Sequence, residues 1–486
     1  MDFYLYEYRT RLPLATLAEY GISASDLQAH LQQLWVNRPR VPFWRAPNDD
    51  GSTKQRFLRF HGEDGTISAR NYVGQIQING HTLHLLPKVF WPGSAPATTE
   101  PSELSLQAMH AHLFWWLRYS HKLRFPRALA SFEAVPTSLY EVLILLFAQY
   151  THELLSRAHY QYYQEVSEDL NTLRGQVNFT AYARYFGTGR GHYLPCTYDS
   201  FQPDNRFNRI LRYVTSQLLN RTTQDHTRHL LQEIHFQLDE VADQTATLAD
   251  CDQVQLSPLF DDFRVVLDYC RLFLADNGPL ASHTPDVRVF AILLPTEVLF
   301  EDFIEGFVRT HLATQFQVRS QTRDLYLAEV TPNDTKKPQK LFQLRHDLLL
   351  RAKPSKKHQD YPIVVDTKYK LLPIDSGSIE ASSVAQADMY QLVSYALRRG
   401  TPYTHLFYPD SLRHPASDPL DNRLDYSVKS KLAGAETFIT ISAHRLPIVL
   451  TAAFSENYSA SGFGEILPDH EQALQARLLS ALSTVS

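Results

Sequence analysis

The run Tyr361-Pro362-Ile363-Val364-Val365-Asp366-Thr367-Lys368-Tyr369 constrains this chain more than any other segment. Its β-branched, unbroken apolar centre reads as a strand covered on both faces. It ends with a carboxylate and an ammonium two residues apart, and strand alternation puts both on one face. An aspartate in such a strand is costly unless it is paired or bound to a cation. The segments around it are therefore expected to serve it. Upstream, Phe342 to Leu350 reads as a strand with Asp347 among apolar neighbours, and the polar loop 353–360 suits a hairpin. Further upstream, a helix opens at Pro295-Thr296 and runs to about Leu312, with Phe300, Phe303, Ile304, Phe307 and Val308 on its apolar face. Glu297, Glu301 and Glu305 lie in a stripe along its edge. Downstream, a helix from about Val384 to Arg399 stops at Gly400 and sets Asp388, Gln391 and Tyr395 on one face.

This order of residues points to metal-assisted phosphodiester hydrolysis. Magnesium takes oxygen ligands and is commonly held by one or two carboxylates plus water and phosphate. Asp347 and Asp366 on adjacent strands can converge on such an ion, with Glu301 entering from the preceding helix. Lys368 then sits where its charge positions the attacking water and offsets charge developing on phosphorus. The competing reading pairs the aspartates structurally with Lys368 or Arg345, and leaves the glutamate stripe as a solvated helix face. Spacing alone does not choose among Glu297, Glu301 and Glu305, and it leaves Gln391 and Tyr395 divided between site support and ordinary packing.

Charge adds a local signal. The whole chain carries a formal net charge of −5, yet between Thr335 and Lys357 eight Lys and Arg residues face Asp347 alone, a local +7. Lys353, Lys356, Lys357 and, beyond them, Lys370 are candidates for contact with a DNA backbone. The alternative is a merely solubilising basic loop.

The rest of the chain reads as α+β and multidomain. Residues 1–91 form a β-rich N-terminal domain, 103–275 a largely helical middle region, and 288–486 an α/β domain holding the site. The strongest local signal in the first of these is two alternating runs, Tyr72 to Ile78 and His81 to Leu86, joined by an Asn79-Gly80 turn. Stretches 92–102 and 276–287 read as linkers. Three cysteines without a CxxC pair exclude a disulfide framework and a cysteine-built zinc site, and fit a reducing cytoplasm. No signal peptide or membrane span is expected. The glycine-rich Phe186 to His192 lacks the Lys-Ser/Thr ending of a phosphate-binding loop and reads as a flexible loop. His110 and His112 make a poor metal pair on a helix, and the aromatics at 114–119 read as core. No Gly-x-Ser-x-Gly elbow is present.

The ordered set Glu301, Asp347, Asp366-x-Lys368 and Gln391-x-x-x-Tyr395 resembles the PD-(D/E)xK nuclease superfamily, the glutamine element its RecB-like branch. More narrowly, the chain resembles the McrC family, the nuclease subunits of 5-methylcytosine-specific McrBC restriction systems. Val73-Gly74-Gln75-Ile76 followed by Leu85-Leu86-Pro87-Lys88-Val89 is similar to a hairpin signature of that family. Leu173-Arg174-Gly175-Gln176-Val177 and Asp204-Asn205-Arg206-Phe207-Asn208-Arg209-Ile210-Leu211 look like its middle-region signatures. His346 stands where the superfamily often has proline, without loss of the aspartate beside it.

The resemblance implies a restriction-endonuclease-like domain with Asp347 and Asp366 as metal ligands, Lys368 as the catalytic lysine and Gln391 beside it. It favours Glu301 over its two neighbours. It also implies Mg²⁺ as cofactor, double-stranded DNA with modified cytosine as substrate, and a McrB-like AAA+ hexamer as partner. That partner would bind and hydrolyse GTP under stimulation by this chain's N-terminal region. Two rival expectations stand beside this one: a non-catalytic adaptor that activates the motor, and a stand-alone RecB-like repair nuclease.

Overall fold

The computed structural model describes residues 1–38, 54–78, 81–93, 100–120, 139–157, 160, 162–256, 258–275, 289–331, 338–353, 362–372, 384–416, 423–430, 437–455 and 462–483. The Asn79-Gly80 turn, the linker 276–287, most of the loop 353–360 and residues Lys336, Lys337, Lys356 and Lys357 lie outside them. The chain is mixed α/β with several sheets, and it divides into two compact units. One joins Met1–Val142 to Ala281–Ser486, and the other is Leu143–Leu280.

The first unit opens with β1 (Asp2–Tyr6), β2 (Leu12–Pro13), α1 (Leu14–Glu19), α2 (Ala24–Asn37), β3 (Leu58–His61), β4 (Thr66–Ala69), β5 (Tyr72–Ile78) and β6 (His81–Leu86). The alternating runs do pair as an antiparallel hairpin, with Ile78 opposite His81. After them come α3 (Glu103–Tyr119) and α4 (Leu139–Arg157), the second crossing into the other unit. The aromatics of α3 are core, as expected: Trp115 and Trp116 are both fully buried.

The second unit holds β7 (Tyr162–Leu170), β8 (Gln176–Val177), α5 (Phe179–Gly187), β9 (Leu194–Gln202), α6 (Arg206–Leu219), α7 (Asp225–Gln237), α8 (Leu248–Asp252) and α9 (Phe263–Leu274). It is helical as expected from about residue 206 onward, but β7, β9 and β8 form a three-stranded antiparallel sheet that the helical reading of this region omits.

The chain then returns to the first unit with β10 (Val289–Pro295), α10 (Thr296–His311), β11 (Phe316–Val330), β12 (Gln339–Ala352), β13 (Ile363–Thr367), α11 (Gln386–Arg399), β14 (Tyr403–Pro409), β15 (Arg423–Ser430), β16 (Thr437–Leu446) and α12 (Phe463–Ser483). β10 adds antiparallel to β5, so the N-terminal sheet has the order β1-β6-β5-β10. The large sheet has the order β11-β12-β13-β14-β16-β15. Its centre, β13, runs antiparallel to β12 and parallel to β14, with all five of its residues buried. One face of this sheet is closed by α11, whose Leu392, Tyr395 and Ala396 pack with Val364, Leu406, Ile441 and Ala443. α11 ends where the sequence says it should, at Gly400 in the left-handed conformation (φ 65°). No described helix is long and apolar enough to cross a membrane.

α10 runs across α3 at very close range. A methyl group at Gly306 would stand 1.8 Å from the Tyr119 carbonyl oxygen, so only glycine fits this crossing. The ring of Phe303 packs against Trp115 (4.9 Å between centroids) and Phe307 against Tyr119 (5.1 Å).

Candidate active site

Asp366 stands at the end of the central strand because the apolar run before it, Ile363-Val364-Val365, has to be buried. Its neighbour in β14 is Leu406, and the residue is 1% exposed. The strand ends at Thr367, but the Lys368 backbone N–H continues the ladder by donating to Phe407 O at 2.9 Å. Alternation then returns Lys368 to the side of Asp366, and Nζ lies 2.5 Å from Asp366 Oδ2.

Asp347 reaches the same place from β12. Its Oδ2 accepts hydrogen bonds from the Thr367 backbone N–H (2.9 Å) and the Thr367 hydroxyl (3.1 Å). The two aspartates expected to converge are therefore neighbours, and the link between them is a residue that sequence reasoning passed over. Alternation sends the Thr367 side chain away from Asp366, and nothing in the pattern announces that its N–H and hydroxyl turn to Asp347.

From α11, Gln391 Oε1 accepts from Lys368 Nζ at 3.2 Å. Its amide nitrogen donates to the Tyr395 hydroxyl at 2.6 Å, and that hydroxyl donates to Arg345 O at 2.5 Å. The relay fixes which end of the Gln391 amide meets the lysine. His346, fully buried, lies against the Tyr395 ring with centroids 4.4 Å apart. One turn earlier on the helix, Asp388 Oδ2 holds Lys370 Nζ at 2.8 Å.

Glu301 is 6% exposed, which sets it apart from the exposed Glu297 and from Glu305, which pairs with Arg309 at 2.9 Å. Arg345 approaches Glu301 Oε1 at 3.7 Å. Among the described residues no three His, Cys, Asp or Glu side chains converge into a ready-made metal cluster, so Glu301 is not brought together with the two aspartates. Of the basic candidates, Lys353 follows β12 and donates to Ala313 O at 3.2 Å, and Lys370 is half engaged by Asp388. Lys340 and Arg351 are strung along β12 rather than gathered at Asp347, eleven residues or about 36 Å apart at strand rise.

The electrostatics are those of a site short of positive charge. Burial pushes the Asp366 carboxyl up to about 7, and the charge of Asp347 adds to this against the opposing pull of Lys368. Burial works against the charged form of Lys368, yet Asp366, Asp347 and Asp388 together hold its pKa above the ordinary lysine value. Two adjacent carboxylates that one ammonium does not fully compensate make an all-oxygen donor set, which fits a hard divalent cation.

A family profile matches residues 67–409, more than half of the chain. No curated protein sequence matches it. Among solved structures, the chain is similar to the refined half-complex from the tetradecameric assembly of Thermococcus gammatolerans McrB AAA+ hexamers with bound McrC. The identity is 18% and the TM-score 0.60, over 96% of this chain and 100% of that one. A second match, the cryo-EM structure of the Thermococcus gammatolerans McrBC complex, has 20% identity and a TM-score of 0.46 over 66% and 90% of the respective chains. By the profile match, the chain belongs to the family of McrBC 5-methylcytosine restriction system components.

Proposed function

We propose that the chain is the Mg²⁺-dependent endodeoxyribonuclease subunit of a GTP-driven, modification-dependent restriction complex, and that its site belongs to the PD-(D/E)xK class. The observation that carries this reading is the pairing of a fully buried Asp366 with Lys368 at 2.5 Å, beside an Asp347 anchored on Thr367. A structural ion pair needs only the first two. The second carboxylate, the glutamine relay and the raised Asp366 pKa are surplus to packing and suit a cation and a phosphate.

Asp347 and Asp366 would hold the cation, with Glu301 in the adjoining wall against Arg345. When bound, Mg²⁺ supplies Lewis-acid activation of water and neutralisation of the leaving oxygen. The chain's own residues orient the reaction. Lys368 Nζ has three donors, and Asp366 and Gln391 take two of them. The third is left for the scissile phosphate or its attacking water, where the ammonium offsets developing negative charge. Lys353, Lys356, Lys357 and Lys370 contribute backbone contacts along the DNA.

Family membership and the fold shared with a chain that binds McrB AAA+ hexamers support a McrB-like AAA+ GTPase as partner, with GTP bound there and hydrolysis stimulated by this chain. The test combines this chain, such a partner, GTP, Mg²⁺ and methylated DNA. Asp366→Ala abolishes cleavage and leaves GTPase stimulation intact. Cutting retained by that variant sinks the site, and GTP turnover indifferent to this chain sinks the partnership.

A further inference from the structure

Lys88 is a lysine in a place where lysines are rarely tolerated. It follows Pro87 in the segment Leu85-Leu86-Pro87-Lys88-Val89, opens the 3₁₀ turn after β6 and is 8% exposed. Its Nζ donates to the Tyr369 carbonyl oxygen at 2.7 Å and lies 4.2 Å from the centroid of the Tyr369 ring. Its backbone N–H donates to Glu7 Oε2 at 3.1 Å. Glu7, wholly buried at the end of β1, takes the Thr296 hydroxyl on its other oxygen. Burial disfavours the charged Lys88, and the Glu7 carboxylate, followed by that of Glu297, opposes that effect.

Each strand of this knot leads to the candidate nuclease centre. Thr296 opens α10, the helix that carries Glu301. Tyr369 directly follows Lys368, and the Phe300 ring of α10 lies 5.9 Å from the Tyr369 ring. Lys368 is held on one side by its N–H bond to Phe407 O, and the Lys370 N–H folds back on Lys368 O at 2.7 Å. The remaining carbonyl of this short turn, that of Tyr369, is the one Lys88 grips. The main chain beneath the Lys368 side chain is therefore pinned between β14 and the 3₁₀ turn that follows β6.

We infer that Lys88 is a positioning residue for the nuclease centre: seated in the 3₁₀ turn that follows β6, it fixes the Tyr369 carbonyl and so sets the reach of Lys368 toward Asp366 and Gln391. This rests on the nuclease reading above and extends the cutting site to the turn that leaves the N-terminal sheet. Misplacing a reacting group by about 1 Å costs on the order of a hundredfold in rate, so a slackened turn is felt in turnover before it is felt in binding.

The test uses the chain assembled with its AAA+ partner on methylated DNA with GTP and Mg²⁺. Glu7→Gln combined with Lys88→Met removes both buried charges together, leaving neither unpaired, and removes the donor to Tyr369. The kcat for cleavage falls by about tenfold or more, while KM for DNA and the melting temperature stay near wild type. Lys88→Arg keeps a positive charge beside Glu7 but replaces a point donor with a planar fork, and lowers kcat by about threefold at unchanged KM. Wild-type kcat in either folded variant overturns the inference. Loss of folding in both assigns Lys88 to stability alone and overturns it equally. Asp366→Ala, run in parallel, keeps the two readings apart: if it still cuts, the nuclease reading falls. If it is dead while the Lys88 variants cut normally, only the positioning role falls.

Discussion

Gly306→Ala puts two opposed effects in direct competition. In a helix interior alanine is favoured over glycine by about 1 kcal/mol, so propensity alone makes the variant more stable. The crossing with α3 says the reverse. The new methyl would meet Tyr119 O at 1.8 Å, Tyr119 C at 2.8 Å and Tyr119 Cβ at 3.1 Å. A close carbon–oxygen contact needs about 3.3 Å, so the helices must part by about 1.5 Å. The two atoms struck hardest are backbone, and the third is a Cβ fixed to it, so no flexible side chain can swing aside. Parting them loosens Phe303 against Trp115, Phe307 against Tyr119, and the 2.8 Å contact between the Tyr119 hydroxyl and His311 Nε2. Overpacking of this kind costs about 1–3 kcal/mol and sometimes more. With the lost interface contacts added, the expected net destabilisation is about 2 kcal/mol. Urea unfolding followed by tryptophan fluorescence reads it directly, because Trp115 and Trp116 lie on α3 beside the crossing. A variant as stable as the wild type, or more so, refutes the packing argument.

Three further outcomes are expected. Thr367→Val keeps the β-branched shape and backbone N–H but loses the hydroxyl bond to Asp347, and raises the Mg²⁺ concentration for half-maximal cleavage by about tenfold. An unchanged Mg²⁺ dependence would remove Thr367 from the site. Asp366→Ala stops cleavage outright and spares GTPase stimulation, as measured in the reconstituted complex. Acid destabilises the chain below about pH 6.5, through histidines that burial keeps neutral: His110 and His112 are pushed down to about 3, His405 and His470 to about 4 and His444 to about 2. Their folded values lie below the unfolded one, so between pH 6.5 and 4 the unfolded chain takes the protons and stability falls with pH. Asp366 and Asp410, each raised to about 7 chiefly by burial, take protons in the folded state and oppose this. Five histidines outnumber two aspartates, so acid costs on the order of a few kcal/mol per pH unit, and chemical denaturation that is flat from pH 7 to 5 would contradict it.

What the sequence made legible follows from how local each signal is. The β-branched run at 363–365, the strand before it and the helix closed by Gly400 are written in neighbouring residues, and all three form. So does the proximity of Asp347 and Asp366, because two antiparallel strands joined by a short polar loop have few registers. Glu301 was singled out by resemblance alone; it is burial, a tertiary property, that separates it from Glu297 and Glu305. The sheet of β7, β9 and β8 escaped because β7 carries a mixed polar sequence after a long helix, with no clean alternation. Lys88 looked like a family signature without a task, since its partners Glu7 and Tyr369 are 81 and 281 residues away.

β10 has a consequence for how the chain is made. The N-terminal sheet is closed by a strand whose first residue, Val289, pairs with Ile78, 211 positions earlier. At a synthesis rate of about 5–20 residues per second, β5 leaves the ribosome about 10–40 s before its partner does. Throughout that interval its hydrogen-bonding edge faces solvent, and the whole of the second unit emerges while it waits. A fragment ending near residue 91 never receives the missing strand, so it should be recovered as aggregates. Supplying 289–295 as a separate peptide should rescue it.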